Sequence, residues 1–313
     1  MTKKIIILLG ITSFVAIIFL KNSFPYEKEK NQSPQNNQWS MDEIKIDSIH
    51  QNYKLFGKGV SIAILDTGID SSHKDLNIKY SYSLVEKTVG DDDNGHGTNM
   101  AGIINAQINS IGITGIAPLA DIYSIKVLDK MKSGSYSTVI EGIEWAIANE
   151  IDIILMSLGS TSSDLGLENK IKEAHDSGIV IVSAVGNYGY EGEGEHVAYP
   201  AKYSSVISVG ATTKENSRWF NSSQGSEIDV MAPGEDILTT ALQNKYSYVD
   251  GTSVAAAFVT GGIALLLESD PLLSPDELKL LLKRTANPLG NEQEYGSGLI
   301  NLEAAIKSIT SKK

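Results

Sequence analysis

The feature that most restricts the fold of this chain is an alternation of two kinds of segment. Short apolar runs, rich in β-branched residues, are separated by longer amphipathic stretches. Val60–Leu65 (VSIAIL), Ile122–Leu128, Ile151–Leu158, Ile179–Val185 and Val206–Val209 read as strands. VSIAIL is apolar apart from Ser61, so a strand there must be covered on both faces. His96–Ala106, Ser137–Asn149, Leu167–Ser177, Ser253–Ser269 and Pro275–Thr285 read as helices, the last opened by the capping signal Ser274-Pro275-Asp276-Glu277. Strands alternating with helices predict an α/β domain with a mostly parallel central sheet and helices on both faces. No repeat or change of composition divides residues 37–313, so one domain is expected there.

The N-terminus predicts export. Lys3 and Lys4 precede an uncharged, mostly apolar run, Ile5–Leu20, which orients with the lysines inside. Residues 1–20 are read as a signal peptide or a signal anchor; Lys21-Asn22-Ser23-Phe24 offers no small-x-small cleavage site, and both alternatives stand. Residues 21–36 form a polar linker containing Pro25 and Pro34. The expected location is extracellular, either secreted or held at the membrane through residues 5–20 alone.

With no cysteine in the chain, disulfides, thiolate metal sites and a cysteine nucleophile are excluded. An exported protein of this kind must rely on a large core or on bound ions. The net charge is −12 and residues 1–36 carry +3, leaving −15 on the body. That charge repels nucleic acid and anionic lipid surfaces.

Three segments place a reactive residue at the edge of an element. Asp66, in ILDTGID, follows a buried strand, so its carboxylate lies at the carboxyl end of the sheet, where open α/β sheets bind ligands. His96, in DDDNGHGTNMAG, stands between two glycines at a helix start. Ser253, in DGTSVAAAFVTGG, follows a glycine turn into a long apolar helix. A serine becomes nucleophilic when a histidine takes its proton and a carboxylate orients that histidine. The acidic run Asp91-Asp92-Asp93 argues against a phosphate loop at His96, and Gly102 at position twelve argues against a calcium loop. The coincidence of all three segments predicts a catalytic triad of Asp66, His96 and Ser253.

The order Asp, His, Ser is that of the subtilisins. From about Asn37 to about Ala305 the chain resembles the bacterial subtilisin type of the subtilase family, notably in IEWAIAN (143–149), MSLG (156–159), DVMAPG (229–234) and YGSGLIN (295–301). The resemblance implies a single subtilisin-like α/β domain and a serine endopeptidase acting on peptide or protein substrates. It implies an oxyanion hole made by the Ser253 N–H and by Asn187 in VSAVGNYG. An extended substrate would run between Ser133-Gly134-Ser135 and Ser157-Leu158-Gly159. Tyr136, Val139 and Leu158 would line the pocket for the P4 residue, the fourth before the scissile bond. Ser157–Gly159 and Ser183–Val185, with Ala184, would wall the P1 pocket, with Ala198 near its floor. The resemblance also implies structural calcium, held by side-chain oxygens of Asp75 and Asn109 and carbonyls of Gln107, Ile111 and Ile113. A monomer is expected.

Glu191, Glu193 and Glu195 alternate with glycines at the rim of the implied P1 pocket, which predicts a preference for Lys or Arg at P1. About sixteen residues separate Leu20 from Asn37, where secreted subtilisins usually carry a folding propeptide of several tens of residues. A dedicated protease maturing one secreted peptide is therefore carried beside a broad, nutritional one. After the nucleophile the chain reads Val254-Ala255-Ala256-Ala257-Phe258 where the family usually has Met-Ala-x-Pro-His. A non-catalytic peptide-binding protein and an esterase are the competing classes; the three motifs oppose the first, and the lack of a Gly-x-Ser-x-Gly elbow opposes the second.

Overall fold

The computed structural model describes residues 39–85, 90–189 and 196–311. The proposed leader, the linker and Glu191, Glu193 and Glu195 lie outside the described residues. The strands are β1 (Ser61–Asp66), β2 (Ile78–Ser83), β3 (Asp121–Lys126), β4 (Ile153–Met156), β5 (Val180–Ala184), β6 (Ile207–Thr212), β7 (Val230–Pro233), β8 (Ile237–Ala241) and β9 (Lys245–Val249). The helices are α1 (Trp39–Glu43), α2 (Ile46–Asn52), α3 (His96–Asn105), α4 (Tyr136–Ala148), α5 (Leu165–Asp176), α6 (Thr252–Ser269), α7 (Pro275–Thr285), α8 (Glu292–Tyr295) and α9 (Leu302–Thr310).

Seven strands form one sheet in the order β2-β3-β1-β4-β5-β6-β7, and every neighbouring pair is parallel. Side chains alternate faces along a strand, and the core divides accordingly. Ile62, Ile64, Ile122, Ile153 and Leu155 pack with α3 and α6. Ala63, Leu65, Ile125, Ile154 and Met156 pack with α4 and α5. This is the α/β architecture that the apolar runs require.

The sheet grows from β1 in opposite directions, toward β3 and β2 on one side and β4 to β7 on the other. The chain leaving β1 and the chain leaving β4 therefore depart to opposite sides, which opens a crevice at the carboxyl ends of these two strands.

Helix α6 runs beneath that crevice. It is the one described helix long and apolar enough to cross a membrane, yet Thr252–Leu267 is entirely buried within the fold. Small residues permit this. A Cβ on Gly261 would come 2.8 Å from the Ile116 side chain, and one on Gly262 would come 2.6 Å from Leu302.

Three parts of the sheet system were not predicted, the first being β7, four buried residues that end in Pro233. The edge strand β2 reads Ile-Lys-Tyr-Ser-Tyr-Ser and is mostly exposed or half-buried, so it lacks the apolar run that marks its neighbours. The antiparallel hairpin β8–β9 turns through Gln243 and Asn244, both in the left-handed region. Its threonines buttress α3: Thr239 and Thr240 hydroxyls donate to the carbonyls of Asn99 (2.6 Å) and Thr98 (2.7 Å).

Candidate active site

Asp66 is the last residue of β1 and is fully buried. Its carboxylate accepts the Thr67 N–H at 2.7 Å and faces His96 Nδ1, which lies 2.8 Å from both oxygens. A carboxylate can only accept, so Nδ1 carries the proton and Nε2 presents its lone pair.

His96 opens α3 behind Gly95, whose φ of 104° lies in the left-handed region. Gly97 follows because no side chain fits there; a Cβ would come 2.0 Å from the Gly68 carbonyl and 3.2 Å from Asp66 Cβ.

The acidic run before His96 is internal scaffolding. Asp92 Oδ1 accepts from Thr67 Oγ1 (2.9 Å), Asn94 N (2.9 Å) and Gly95 N (2.8 Å), and Oδ2 accepts from Thr98 N (3.0 Å) and Thr98 Oγ1 (2.7 Å). It satisfies free N–H groups at the start of α3 and places negative charge at the positive end of that helix. Asp93 accepts from the buried Lys126 ammonium at 2.7 Å, and the same ammonium donates to the Thr67 carbonyl at 2.8 Å. Sequence reasoning rejected calcium and phosphate for this run without finding the role of Asp92.

Ser253 lies in the first turn of α6 behind Gly251. Its hydroxyl donates to the Ser157 carbonyl at 3.3 Å, and Ser157 Oγ donates back to the Ser253 carbonyl at 3.2 Å. Strands β1 and β4 pair Ile64 with Leu155, and extending that register by two residues sets Asp66 beside Ser157. The histidine held by Asp66 and the serine held by Ser157 thus hang over adjacent strand ends, about 4.8 Å apart at the backbone.

Asn187 follows β5 through Gly186, which has a φ of 100°. Its Oδ1 accepts from Thr252 N (3.1 Å) and Thr252 Oγ1 (2.8 Å). Because a backbone N–H can only donate, the amide orientation is fixed, and Nδ2 is the group left to face a substrate. Leu158, Gly159, Ala184, Gly186, Asn187, Tyr188, Ala198, Thr252 and Ser253 line a small, partly open recess. Tyr188, Gly186 and Thr252 were not anticipated, although each adjoins a residue that was.

The other nominated residues fall on the rims. Ser133 pairs with Asp129 through its carbonyl (2.9 Å), Ser135 caps α4, and Gly134 packs where a Cβ would come 2.7 Å from the Val127 carbonyl. The Tyr136 hydroxyl bridges the Ser162 carbonyl (2.7 Å) and the Ser160 hydroxyl (2.9 Å), spanning the two rims. Beneath it Val139 and Leu158 are buried.

The residues implied for calcium meet around one carboxylate. Asp75 accepts from Asn109 Nδ2 (2.8 Å), Ile113 N (3.0 Å) and the Tyr246 hydroxyl (3.0 Å). Burial and the bond to Asp75 push the Tyr246 phenol up, so it remains a donor. Ile111 N donates to Asn109 Oδ1 at 2.8 Å, and Gln107 N to the Asp75 carbonyl at 2.9 Å. The Gln107 side chain turns away to Pro118 and Asn105. Among the described residues no group of three or more His, Cys, Asp or Glu could hold a metal. The oxygen donor types would suit a hard cation rather than a transition metal, but here Asp75 is engaged by three donors and Asn109 Oδ1 by Ile111 N, so the described residues show no formed metal site.

Three of the other described histidines are occupied elsewhere. His50 donates to the Ile116 carbonyl (2.9 Å), His73 to the Lys245 carbonyl (3.0 Å), and His175 faces Asp276.

An aspartate-held histidine beside a helix-start serine, at the crevice of an open parallel sheet, defines a class: serine hydrolases of the α/β type rather than of the β-barrel type. Comparison with known proteins narrows that class. Residues 57–298 match the subtilase family, and the chain belongs to it. It is 45% identical over 272 residues to subtilisin amylosacchariticus of Bacillus subtilis subsp. amylosacchariticus, covering 86% of this chain and 71% of that one. Subtilisin DY of Bacillus licheniformis is 44% identical over 84% of this chain and 96% of its own, and subtilisin Savinase of Lederbergia lenta 40% over 86% and 98%. The chain is accordingly a subtilisin-type serine endopeptidase, a hydrolase of peptide or protein substrates.

Proposed function

We propose that residues 37–313 form the peptidase domain of an exported endopeptidase whose acyl-enzyme forms on Ser253. In this reading the Ser253 proton passes to His96 Nε2 as Oγ attacks the scissile carbonyl. Asp66 holds His96 in the required tautomer and stabilises the imidazolium. The negative carbonyl oxygen is met by the Ser253 N–H and by Asn187 Nδ2. His96 then protonates the leaving amine as the C–N bond breaks, and water attacking the acyl group returns the proton by the same route.

The observation that carries this reading is the convergence of an Asp66–His96 pair, Ser253 and a fixed Asn187 amide at the ends of three neighbouring strands, β1, β4 and β5. The substrate lies extended between Ser133–Ser135 and Ser157–Gly159, with its P1 side chain in the recess. The mostly apolar walls of that recess suit an apolar stem on the P1 side chain, and Glu191, Glu193 and Glu195 favour a basic end on it. A narrow role, maturing one secreted peptide, follows if that preference is strict. Asp75, Asn109 and the carbonyls of Gln107, Ile111 and Ile113 would hold calcium, which supplies loop stability and no chemistry. The N-terminal segment is the only membrane attachment, and the enzyme works as a monomer.

The test uses the full chain, wild type and Ser253→Ala, incubated with a diverse peptide mixture and read by mass spectrometry. Cuts by wild type alone, enriched in Lys or Arg at P1, are expected. Cutting by both proteins would refute the role of Ser253, and an even P1 distribution would refute the basic preference. A melting temperature that is the same with calcium as with a chelator would remove the calcium assignment.

A further inference from the structure

Lys126 is a buried cation that the chemistry above does not use. It is the last residue of β3 and runs into Val127 and Leu128, both buried. Its own side chain is 1% exposed. An ammonium taken out of water is costly unless it is bonded, whereas an apolar side chain of the same length would pack here without that cost. Packing alone therefore does not account for a charge at this position.

The groups that the ammonium holds lie directly behind the Asp66–His96 pair. Lys126 stands opposite Asp66 in the β1–β3 register, so the two side chains leave adjacent strands on the same face. Val127 N and Leu128 N donate to the Asp66 carbonyl (2.9 and 3.1 Å), and Lys126 Nζ donates to the next carbonyl, that of Thr67, at 2.8 Å. Thr67 in turn joins the two catalytic residues. Its N–H donates to Asp66 Oδ1 (2.7 Å), and its hydroxyl oxygen accepts from Gly97 N (3.0 Å), the residue after His96. The second bond of the ammonium, to Asp93 Oδ1 at 2.7 Å, ties the same point to the loop that enters α3. Lys126 thus bridges the strand end that carries Asp66 and the loop that delivers His96.

We propose that Lys126 is a positioning residue for the catalytic pair. By fixing Thr67 against the loop before α3 it sets the separation and tilt of Asp66 and His96, and Asp93 acts on catalysis through it. The inference rests on the peptidase reading and adds a part of the machinery that touches neither substrate nor reacting atoms. Losing Asp93, whose side chain is 46% exposed, breaks the loop half of the bridge and leaves the bond to Thr67. Losing the ammonium breaks both halves.

The test measures kcat and KM of the full chain on an internally quenched peptide, for Lys126→Met, Asp93→Asn and the two together. Rates are taken per active site, counted with a fluorophosphonate that labels Ser253. Lys126→Met keeps the length and apolar stem of the side chain. Its kcat is expected to fall about tenfold with KM within about twofold, short of the hundredfold loss that a misplacement of about 1 Å can bring. Asp93→Asn alone lowers kcat about threefold, and adding it to Lys126→Met lowers kcat no further, because its route to the site is already cut. A residue that only stabilised the fold would move Tm and leave kcat per active site at the wild-type value; that result in Lys126→Met overturns the proposal. Losses that multiply in the double variant overturn it as well. Should Lys126→Met not fold, Asp93→Asn decides, and a kcat equal to wild type overturns the proposal while leaving the peptidase reading intact. Failure of the wild type to hydrolyse the peptide would instead overturn the peptidase reading, and this one with it.

Discussion

Replacing Asp92 by asparagine tests the scaffold behind His96 with little change of volume. The carboxylate accepts three hydrogen bonds on Oδ1 and two on Oδ2. An asparagine oriented to keep the three on Oδ1 turns its NH2 toward the Thr98 N–H, donor against donor. The Thr98 hydroxyl can rotate, but the backbone N–H cannot. One buried donor left unmet costs about 1–3 kcal/mol. Removing a negative charge from the N-terminus of α3 adds about 0.3–1 kcal/mol. The expected loss is about 3 kcal/mol, which lowers Tm by about 5–10 °C for a domain of this size. The measurement is thermal unfolding by circular dichroism, made in a Ser253→Ala background so that self-digestion does not intervene. A Tm within about 1 °C of the parent would refute the reasoning, since the bonds described could not then be holding the start of α3.

Asn187→Ala removes the one side-chain donor that Thr252 fixes beside Ser253. A fall of about 10²–10³ in kcat with KM little changed is expected, a magnitude taken over from a subtilisin rather than worked from these distances. His50 tests pH dependence. Burial lowers its pKa from the ordinary 6.5, against the opposing pull of its bond to Ile116 and of Asp47 and Glu268. Above pH 6.5 the ring is neutral in both states and contributes nothing; below it the unfolded chain takes up the proton first, so stability falls as pH drops toward the folded value. His50→Gln, which can still donate to Ile116, should therefore lose less stability than wild type between about pH 7 and pH 5.5 in urea unfolding.

Much of this was legible in the sequence, for reasons that differ from residue to residue. β1 and β4–β6 were found because strands covered on both faces are apolar throughout, and α7 because its capping box is written in Ser274 and Glu277. Asp66, His96 and Ser253 were nominated because each ends or begins an element within two residues of a glycine in the left-handed region. β2 was missed because an edge strand need not be apolar, and β8–β9 because its buried face is made of threonines bonded to α3. Asp92 was missed for a different reason. Its partner Thr67 lies 25 residues away, and no local pattern separates an aspartate that caps a helix from one that faces water.

The geometry at Ser253 also bears on how the site is switched into use. Its hydroxyl rests on the Ser157 carbonyl at 3.3 Å, well beyond the ordinary length of about 2.7–2.8 Å for such a bond. A bond that long holds the rotamer weakly, so turning Oγ toward His96 Nε2 costs little. A substrate strand laid along Ser157–Gly159, as proposed, would bring its own N–H to the Ser157 carbonyl and take over that acceptor. In the proposed mechanism binding and activation would then be one event: the peptide claims the oxygen on which the nucleophile rested, and the freed hydroxyl can turn toward His96. Substrates that cannot donate there, such as peptides N-methylated at the P1 amide, should therefore lose kcat as well as affinity, because they leave Ser253 where it lies.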